Sequence, residues 1–255
     1  MGRCGWALLS GVLLLLPGAL RAESVPVFGP GETLIYDISY GPISGGKARI
    51  LVGADTGVAD REVWPIVVQA RTSEGVGRLF AVQDRMVTLF DPLEEITLGY
   101  DFHAREGGKR RSTRARMDRE RGKAHVVERS ESEPERRRTY EVGPTCHDLT
   151  SAVFWLRGRP LEVGDREKVR IFTGARTWDL HGVVEARETL RTARGEQATV
   201  RVRFRTHRRG KLVKDRDITL WFSDDERHVP VKIHAEVFLG AVHAELQSYA
   251  PGLAR

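Results

Sequence analysis

Three neighbouring residues, Cys146, His147 and Asp148, have the side chains of a thiol-dependent catalytic site. They stand where a helix is predicted to begin, and consecutive residues of a helix point about 100° apart. The three side chains therefore cannot form a hydrogen-bonded triad. A helix N-terminus can lower the pKa of a thiol, so a reactive Cys146 is an alternative. We expect a packed, inert cysteine.

An acidic turn, Ser223 to Glu226, follows a strand-like segment and precedes Pro230. Clustered carboxylates can bind calcium or act as general acid and base. The spacing matches no calcium-binding loop, and Ser and Asp are common turn residues. We expect a turn here. The alternative is a hydrolase that uses Asp224 or Asp225 together with His228.

The last predicted hairpin carries two histidines and two glutamates on one face. A two-residue turn at 239–240 would place Glu236 opposite His243 and His234 opposite Glu245. Such a group can bind zinc, but we expect solvent-facing His–carboxylate pairs and assign no metal site. The other face would be apolar and would pair Val237 with Val242, Ala235 with Ala244 and Ile233 with Leu246.

Aromatic side chains offer a further possible site. Trp64, Trp155, Trp178 and Trp221 can line an apolar cavity or fill the core, and we expect core positions. The sequence contains no Gly-rich phosphate loop, no zinc-spaced cysteine pair and no Gly-x-Ser-x-Gly elbow. We therefore assign no cofactor and no catalytic residue, and we do not expect an enzyme.

One helix is predicted, at about 146–157, and it would contain Cys146, His147, Asp148 and Trp155. Thr145 precedes Asp148 by three residues, which is the spacing of a capping box. Gly158 is suited to a left-handed C-cap, and Pro160 prevents continuation. An apolar stripe recurs at helical spacing and should be buried: Leu149, Ala152, Val153 and Leu156.

The remaining sequence alternates in short apolar and polar segments, with turns every 8–12 residues. This pattern predicts a mainly β fold, with a strongly curved antiparallel sheet or barrel-like structure and the helix packed on its concave side. A two-sheet β-sandwich is the alternative. In one predicted hairpin, around Arg209 and Gly210, the buried face would be shared by Val200, Val202, Phe204, Ile218, Leu220 and Phe222.

The N-terminal residues have the features of a secretory signal peptide. Arg3 supplies the positive charge, residues 6–16 an apolar core that is too short to span a bilayer, and Ala22 a small residue at the end. We expect residues 1–22 to be removed and residues 23–255 to form a single β-rich domain. The location would be periplasmic or exported, with no transmembrane segment after cleavage. Cys146 would then be the sole cysteine, so no intrachain disulfide is expected.

The whole chain has a formal net charge of +6, which falls to +4 when Arg3 and Arg21 are removed. This mild excess gives no reason to expect nucleic-acid binding. Residues 105–138 are rich in Arg and should form exposed hairpins. They are suited to binding anionic lipid headgroups or acidic polysaccharide, although their interspersed Glu and Asp favour a solvated face.

Several segments resemble an exported bacterial family known as domain of unknown function 3108. They are Gly31 to Tyr36, Gly45 to Ala48, Asp148 to Arg157, Pro160 to Asp165, Gly182 to Thr189 and Trp221 to Ile233. The resemblance implies an envelope location and a β-rich fold but supplies no catalytic residues. Its signature residues, which we expect to be structural, are Asp148, Ser151, Trp155, Arg157, Gly164, Trp221, Ser223 and Asp224.

These observations predict a non-catalytic periplasmic or outer-envelope protein that binds an apolar or amphiphilic ligand, or an envelope polymer, during cell-surface assembly. Its partner would be a lipid, a polysaccharide or an envelope protein. The first alternative is an interaction module that pairs with another envelope protein through a sheet edge. The second is the hydrolase at Asp224 or Asp225. An apolar cavity would favour ligand binding, whereas an exposed flat edge would favour the interaction module.

Overall fold

The computed structural model describes residues 27–41, 43–58, 61–73, 81–237 and 240–253. Within these residues it contains one α-helix and 15 strands, all in one antiparallel sheet. The predicted curved, barrel-like fold is confirmed, and the two-sheet sandwich is wrong. The predicted signal peptide, residues 1–22, lies outside the described residues.

The elements follow one another along the chain in alternating hairpins. They are β1 (Thr33–Tyr40), β2 (Ile43–Val52), β3 (Trp64–Thr72), β4 (Gln83–Asp91), β5 (Ile96–Glu106), β6 (Lys109–Asp118), β7 (Lys123–Ser130), β8 (Arg136–Glu141), α1 (Leu149–Arg157), β9 (Arg166–Phe172), β10 (Thr177–Thr192), β11 (Gly195–Arg208), β12 (Lys211–Leu212), β13 (Ile218–Ser223), β14 (Pro230–Val237) and β15 (Gly240–Ala250).

In chain order, the helix lies between the two strands that form the edges of the sheet. Strands β8 to β1 run in reverse chain order, β1 pairs with β15, and the sheet continues through β14, β13, β11 and β10 to β9, while β12 pairs with β11. The edges of this path are therefore β8 and β9. Side chains of α1 pack with buried residues of both halves of the sheet, so the helix lies in the space that the curved sheet encloses.

The segment before α1 partly bridges the gap between the edges. The His147 N–H donates to the Arg170 carbonyl, and the His147 carbonyl accepts from the Phe172 N–H, both at 2.8 Å. The rings of Tyr140 on β8 and Phe172 on β9 lie 5.3 Å apart, measured between centroids. The sheet thus approaches a barrel without closing.

The helix starts later than predicted, at Leu149 instead of Cys146, and its N-cap is Asp148. The Asp148 carboxylate accepts the N–H groups of Thr150 and Ser151, while the Ser151 hydroxyl accepts the Asp148 N–H, so the capping box lies one turn further on. The physical reason is the pairing of His147 with β9, which keeps the preceding chain extended. Gly158 is also not left-handed: its φ is −80° and its ψ is 0°.

The predicted apolar stripe of α1 is wrong at its first position, because Leu149 is 48% exposed. The curved sheet encloses the rest of the helix from several sides, so Phe154 and Arg157 are buried along with Ala152 and Leu156. Leu156 packs with the inner face of the C-terminal strands, and Phe154 packs with that of β1 to β4. The helix therefore joins the two halves of the core.

The predicted antiparallel pairing of β11 with β13 and its shared inner face are confirmed, although the turn at 209–210 joins β11 to the short strand β12. The Cα partners are Val200 with Phe222, Val202 with Leu220, and Phe204 with Ile218, and all of these side chains belong to the inner face.

The predicted register of β14 and β15 is wrong by two residues. His234 lies opposite His243, Ile233 opposite Ala244, and Ala235 opposite Val242. A shift of two preserves the alternation of side chains, so the apolar and polar faces are those predicted. Leu239, which the sequence placed in the turn, lies outside the described residues.

Candidate functional site

An apolar cavity of about 340 Å³ lies between α1 and the concave face of the sheet. None of the described residues that line it is charged. The lining from the helix is Leu149, Thr150, Ala152, Val153, Phe154 and Leu156, and that from the sheet is Leu34, Tyr36, Ile50, Val68, Val169, Leu180, Phe204, Ile218, Leu220, Pro230, Ile233 and Ala235.

Period-two alternation explains why so many strands contribute apolar side chains to this space. On β14, Ile233 and Ala235 point inward, whereas the alternating residues Lys232 and His234 point outward. The small side chains of Ala152 and Ala235 leave room between the helix and the sheet. Exposed Leu149 and half-buried Val153 lie at the boundary with solvent. The cavity therefore opens beside the N-terminal half of α1.

The two hydroxyl groups in the lining are both engaged. The Tyr36 hydroxyl donates to the Pro230 carbonyl at 2.8 Å, and burial raises the pKa of this phenol. The Thr150 hydroxyl lies 3.9 Å from the Met86 sulfur. The described lining thus offers shape and apolar surface, with no nucleophile or general base.

The neighbouring Cys146, His147 and Asp148 do not form a catalytic group. Burial raises the pKa of the Cys146 thiol to about 12 and lowers the pKa of His147 to about 4. Asp148 caps the helix and also accepts the Thr88 hydroxyl at 2.9 Å. The prediction of a packed cysteine is confirmed, since Cys146 is 4% exposed.

The acidic turn is a turn, as expected, and its members have separate partners. The Ser223 hydroxyl donates to Asp225 at 2.8 Å, and Asp225 accepts the Arg227 N–H at 3.0 Å. Asp224 instead forms an ion pair with Arg187. His228 Nδ1 lies 2.9 Å from the Arg157 carbonyl oxygen. None of these contacts joins the carboxylate of Asp224 or Asp225 to the imidazole of His228.

The predicted His–Glu pairs of the last hairpin are also not formed. The Nδ1 atoms of His234 and His243 lie 3.2 Å apart, and burial, followed by the proximity of His234, lowers the pKa of His243. Glu236 accepts a backbone N–H from Asp217, and Glu245 accepts one from Ala193. Among the residues that the structure describes, no three metal-ligating side chains come together.

The four tryptophans contribute nothing to the cavity lining. Trp64 is a buried core residue, as expected. The other three are half-buried, and Trp155 and Trp178 pack against the core. Each of the three also lies beside a cation, which the sequence did not indicate: Trp155 by Arg159, Trp178 by Arg208, and Trp221 by Lys232.

Two of the signature residues, Arg157 and Gly164, contact parts of the sheet that are distant in sequence. Arg157 is fully buried, and its Nη1 and Nη2 donate to the two Glu32 carboxylate oxygens at 2.5 and 3.2 Å. Its guanidinium lies 5.1 Å from the ring centroids of Phe28 and Phe154. Gly164 has a φ of +100°, and its N–H donates to the Val184 carbonyl.

Sequence reasoning missed Glu32 as the partner of Arg157 and did not assemble the cavity. A carboxylate beside a predicted strand has many possible partners, so no local signal selects Arg157. The inward alternation of β1, β2 and β14 was readable from the sequence. The cavity between these inward side chains and α1 was not readable, because it depends on the position of the helix.

A family model for proteins of unknown function, DUF3108, matches residues 35–247. The search of curated proteins found no match. Within the described residues, no helix is long and apolar enough to cross a membrane.

Solved structures with a similar fold include a beta-barrel-like protein of the domain of unknown function DUF1849 from Brucella abortus. The two chains share 12% identity, the match covers 88% of this chain and 98% of the other, and the TM-score is 0.57. A presumed exported protein with a YmcC-like fold from Bacteroides fragilis shares 10% identity over 89% of this chain and 100% of the other, with a TM-score of 0.37. The first comparison shows the fold alone, and the second carries no argument.

Proposed function

Because this chain belongs to the DUF3108 family of proteins of unknown function, we propose that it is a non-catalytic cell-envelope protein that binds the apolar part of an amphiphile beneath α1. The apolar cavity of about 340 Å³ carries this proposal. The signal-like residues, with Arg3, an apolar core at 6–16 and Ala22, support an exported location.

The size and chemistry of the cavity support a chain-like ligand. Its volume is near the lower end of the range for ligand pockets, about 300–1,000 Å³. Each buried methylene group contributes about 0.8 kcal/mol, so a short stretch of an acyl chain supplies useful affinity. A charged headgroup must stay outside, because the described lining offers it no partner and burial of an unpaired charge is costly.

The alternative of pairing through a sheet edge has weaker support. At β9 the edge is already bonded to His147. At β8 the edge strand carries Arg136, Arg137 and Arg138, all exposed, and charged edge strands discourage pairing with another chain.

A cavity-filling variant tests the proposal. Ala235 lines the cavity from β14, so Ala235→Phe should occupy the space and weaken binding of a fluorescent polyene fatty acid by about tenfold or more. Ala241→Phe is the matched control, since Ala241 is on the outer face of the same hairpin. It should bind the probe like the unmodified protein.

Thermal unfolding of both variants would establish that they are folded. Native mass spectrometry of the protein extracted from its own envelope would reveal a retained amphiphile. Failure of the unmodified protein to bind the fatty acid and to retain any amphiphile would overturn the proposed function. Unchanged binding by folded Ala235→Phe would overturn the assignment to this cavity.

A further inference from the structure

The positive charge of the protein is concentrated in one part of the sheet. Residues 105–138, from the end of β5 into β8, contain 13 Lys and Arg against seven Asp and Glu, a net charge of +6. The rest of residues 23–255 contains 26 Lys and Arg against 28 Asp and Glu, a net charge of −2. The basic character is therefore a property of this region and not of the whole surface.

Two shallow grooves, of about 290 and 420 Å³, lie on the outer side of this region and share His103, Ser112 and Arg129. These residues belong to one row across the strands: Arg85 lies opposite His103, His103 opposite Ser112, and Ser112 opposite Arg129. Neighbouring strands are about 4.8 Å apart, so the row offers groups at a regular spacing. We call the joined grooves the basic groove.

Two arginines of the basic groove have no partner among the residues that the structure describes. Within the described part of the chain, the side chains of Arg85 and Arg105 form neither a hydrogen bond nor an ion pair, and both are exposed. Arg129 and Arg137 share Glu135 on the surface. Exposed ion pairs contribute little to stability, so an incoming anion can replace Glu135 at small cost.

We propose that the basic groove binds an acidic polysaccharide, with the exposed guanidinium groups of Arg85 and Arg105 binding its carboxylates. Guanidinium binds carboxylate bidentately, and a groove that crosses several strands accommodates an extended chain. A planar lipid surface fits less well, because this is the convex face of a curved sheet and touches a plane at few points. The site is separate from the cavity beneath α1.

The test is a titration of the folded protein with oligomers of polygalacturonate. We expect binding that weakens as salt is added, since screening reduces attraction between exposed charges. The double variant Arg85→Ala, Arg105→Ala should bind about tenfold or more weakly. The control is Arg191→Ala, Arg194→Ala, which removes two exposed charges, one at the end of β10 and one in the turn that follows it, and should change affinity less than about twofold.

Three further results distinguish the outcomes. Arg85→Lys with Arg105→Lys should restore only part of the lost affinity, because Lys keeps the charge but not the planar fork. Absence of binding to polygalacturonate, or equal losses in the two double alanine variants, would overturn the site. If the protein binds phosphatidylglycerol vesicles as tightly as polygalacturonate, and the variant Arg85→Ala, Arg105→Ala loses that binding, the choice of a polysaccharide would be overturned. Ala235→Phe, which fills the apolar cavity, should leave polygalacturonate binding unchanged. The proposal of the basic groove and the proposal of the apolar cavity can therefore fail independently of each other.

Discussion

Arg157 and Glu32 form a doubly hydrogen-bonded ion pair that solvent does not reach, although 125 positions separate them in the sequence. The Arg157 Nε also donates to the Arg227 carbonyl at 3.1 Å. The last turn of α1 is thereby attached both to the start of β1 and to the turn between β13 and β14. This pair holds the C-terminal end of α1, a helix that lines the apolar cavity, to the sheet.

Removal of the Glu32 charge should strongly destabilise the protein. In Glu32→Gln the guanidinium of Arg157 stays buried without a counter-charge, so we expect a loss of about 3–5 kcal/mol in the free energy of unfolding. Urea denaturation measures this loss. The double variant Glu32→Gln, Arg157→Met should lose less than the sum of the single losses. If the two single losses simply add, Glu32 and Arg157 are not coupled. Lys47→Gln is the control: it breaks an exposed ion pair and should change the free energy of unfolding only slightly.

The stabilising effect of Asp148 should depend on its hydrogen-bond-accepting oxygen atoms more than on its negative charge. Asp148→Ala leaves the N–H groups of Thr150 and Ser151 and the hydroxyl of Thr88 without their acceptor, and we expect a cost of about 1–3 kcal/mol. Asp148→Asn keeps an acceptor oxygen and should cost less. Thermal unfolding of the two variants compares them, and an equal or larger loss for Asn would argue against the cap as the main role.

Stability should fall as the pH is lowered, partly because of His147. Burial, followed by nearby Arg119 and Arg159, lowers the pKa of this imidazole to about 4 in the folded protein, against about 6.5 in an unfolded chain. Between these values the unfolded chain binds a proton that the folded protein does not. The free energy of unfolding should therefore decrease by up to about 3 kcal/mol from pH 6.5 to pH 4.

In the variant His147→Phe, the free energy of unfolding should decrease less over the same pH range than it does in the unmodified protein. In the control variant His125→Phe, which replaces an exposed histidine, the decrease should equal that of the unmodified protein. Asp148 acts in the opposite direction, because burial raises the pKa of its carboxyl and so favours the folded state at low pH. Both variants retain Asp148, so the difference between them isolates His147. Identical pH profiles of urea denaturation would contradict the assignment.

Two leucines of α1 should separate stability from ligand binding. Leu156 is 1% exposed and packs in the core, so Leu156→Ala should cost about 2–5 kcal/mol. Leu149 lies at the opening of the cavity and is largely exposed, so Leu149→Ala should have a much smaller effect on unfolding but weaken fatty-acid binding. A loss below about 0.5 kcal/mol for Leu156→Ala would contradict the central position of the helix.

Cys146 should not react in the folded protein. Burial raises the pKa of its thiol to about 12, so almost no thiolate is present at pH 8, and the sulfur is inaccessible. In a Cys4→Ser background, an aromatic disulfide reagent should react only as fast as the protein unfolds, and rapidly in urea. Fast reaction with an unchanged circular dichroism spectrum would show that the thiol is reachable.

Local alternation in the sequence determined the strands and their faces. The inward set Val200, Val202 and Phe204 was readable because side chains alternate with a period of two, whatever the neighbouring strand does. The same regularity kept the faces of β14 and β15 correct when their register was wrong. The existence of the helix followed from its apolar spacing and the glycine and proline after it.

Only the tertiary structure decided the features that depend on distant parts of the chain. The helix begins at Leu149 because His147 pairs with β9, and Phe154 is buried in place of Leu149 because the sheet curves around the helix. Glu32 finds Arg157 only when β1 and the end of α1 meet. The cavity exists because α1 crosses the sheet at a distance that the side chains do not completely fill, and that distance is set by all of the surrounding strands together.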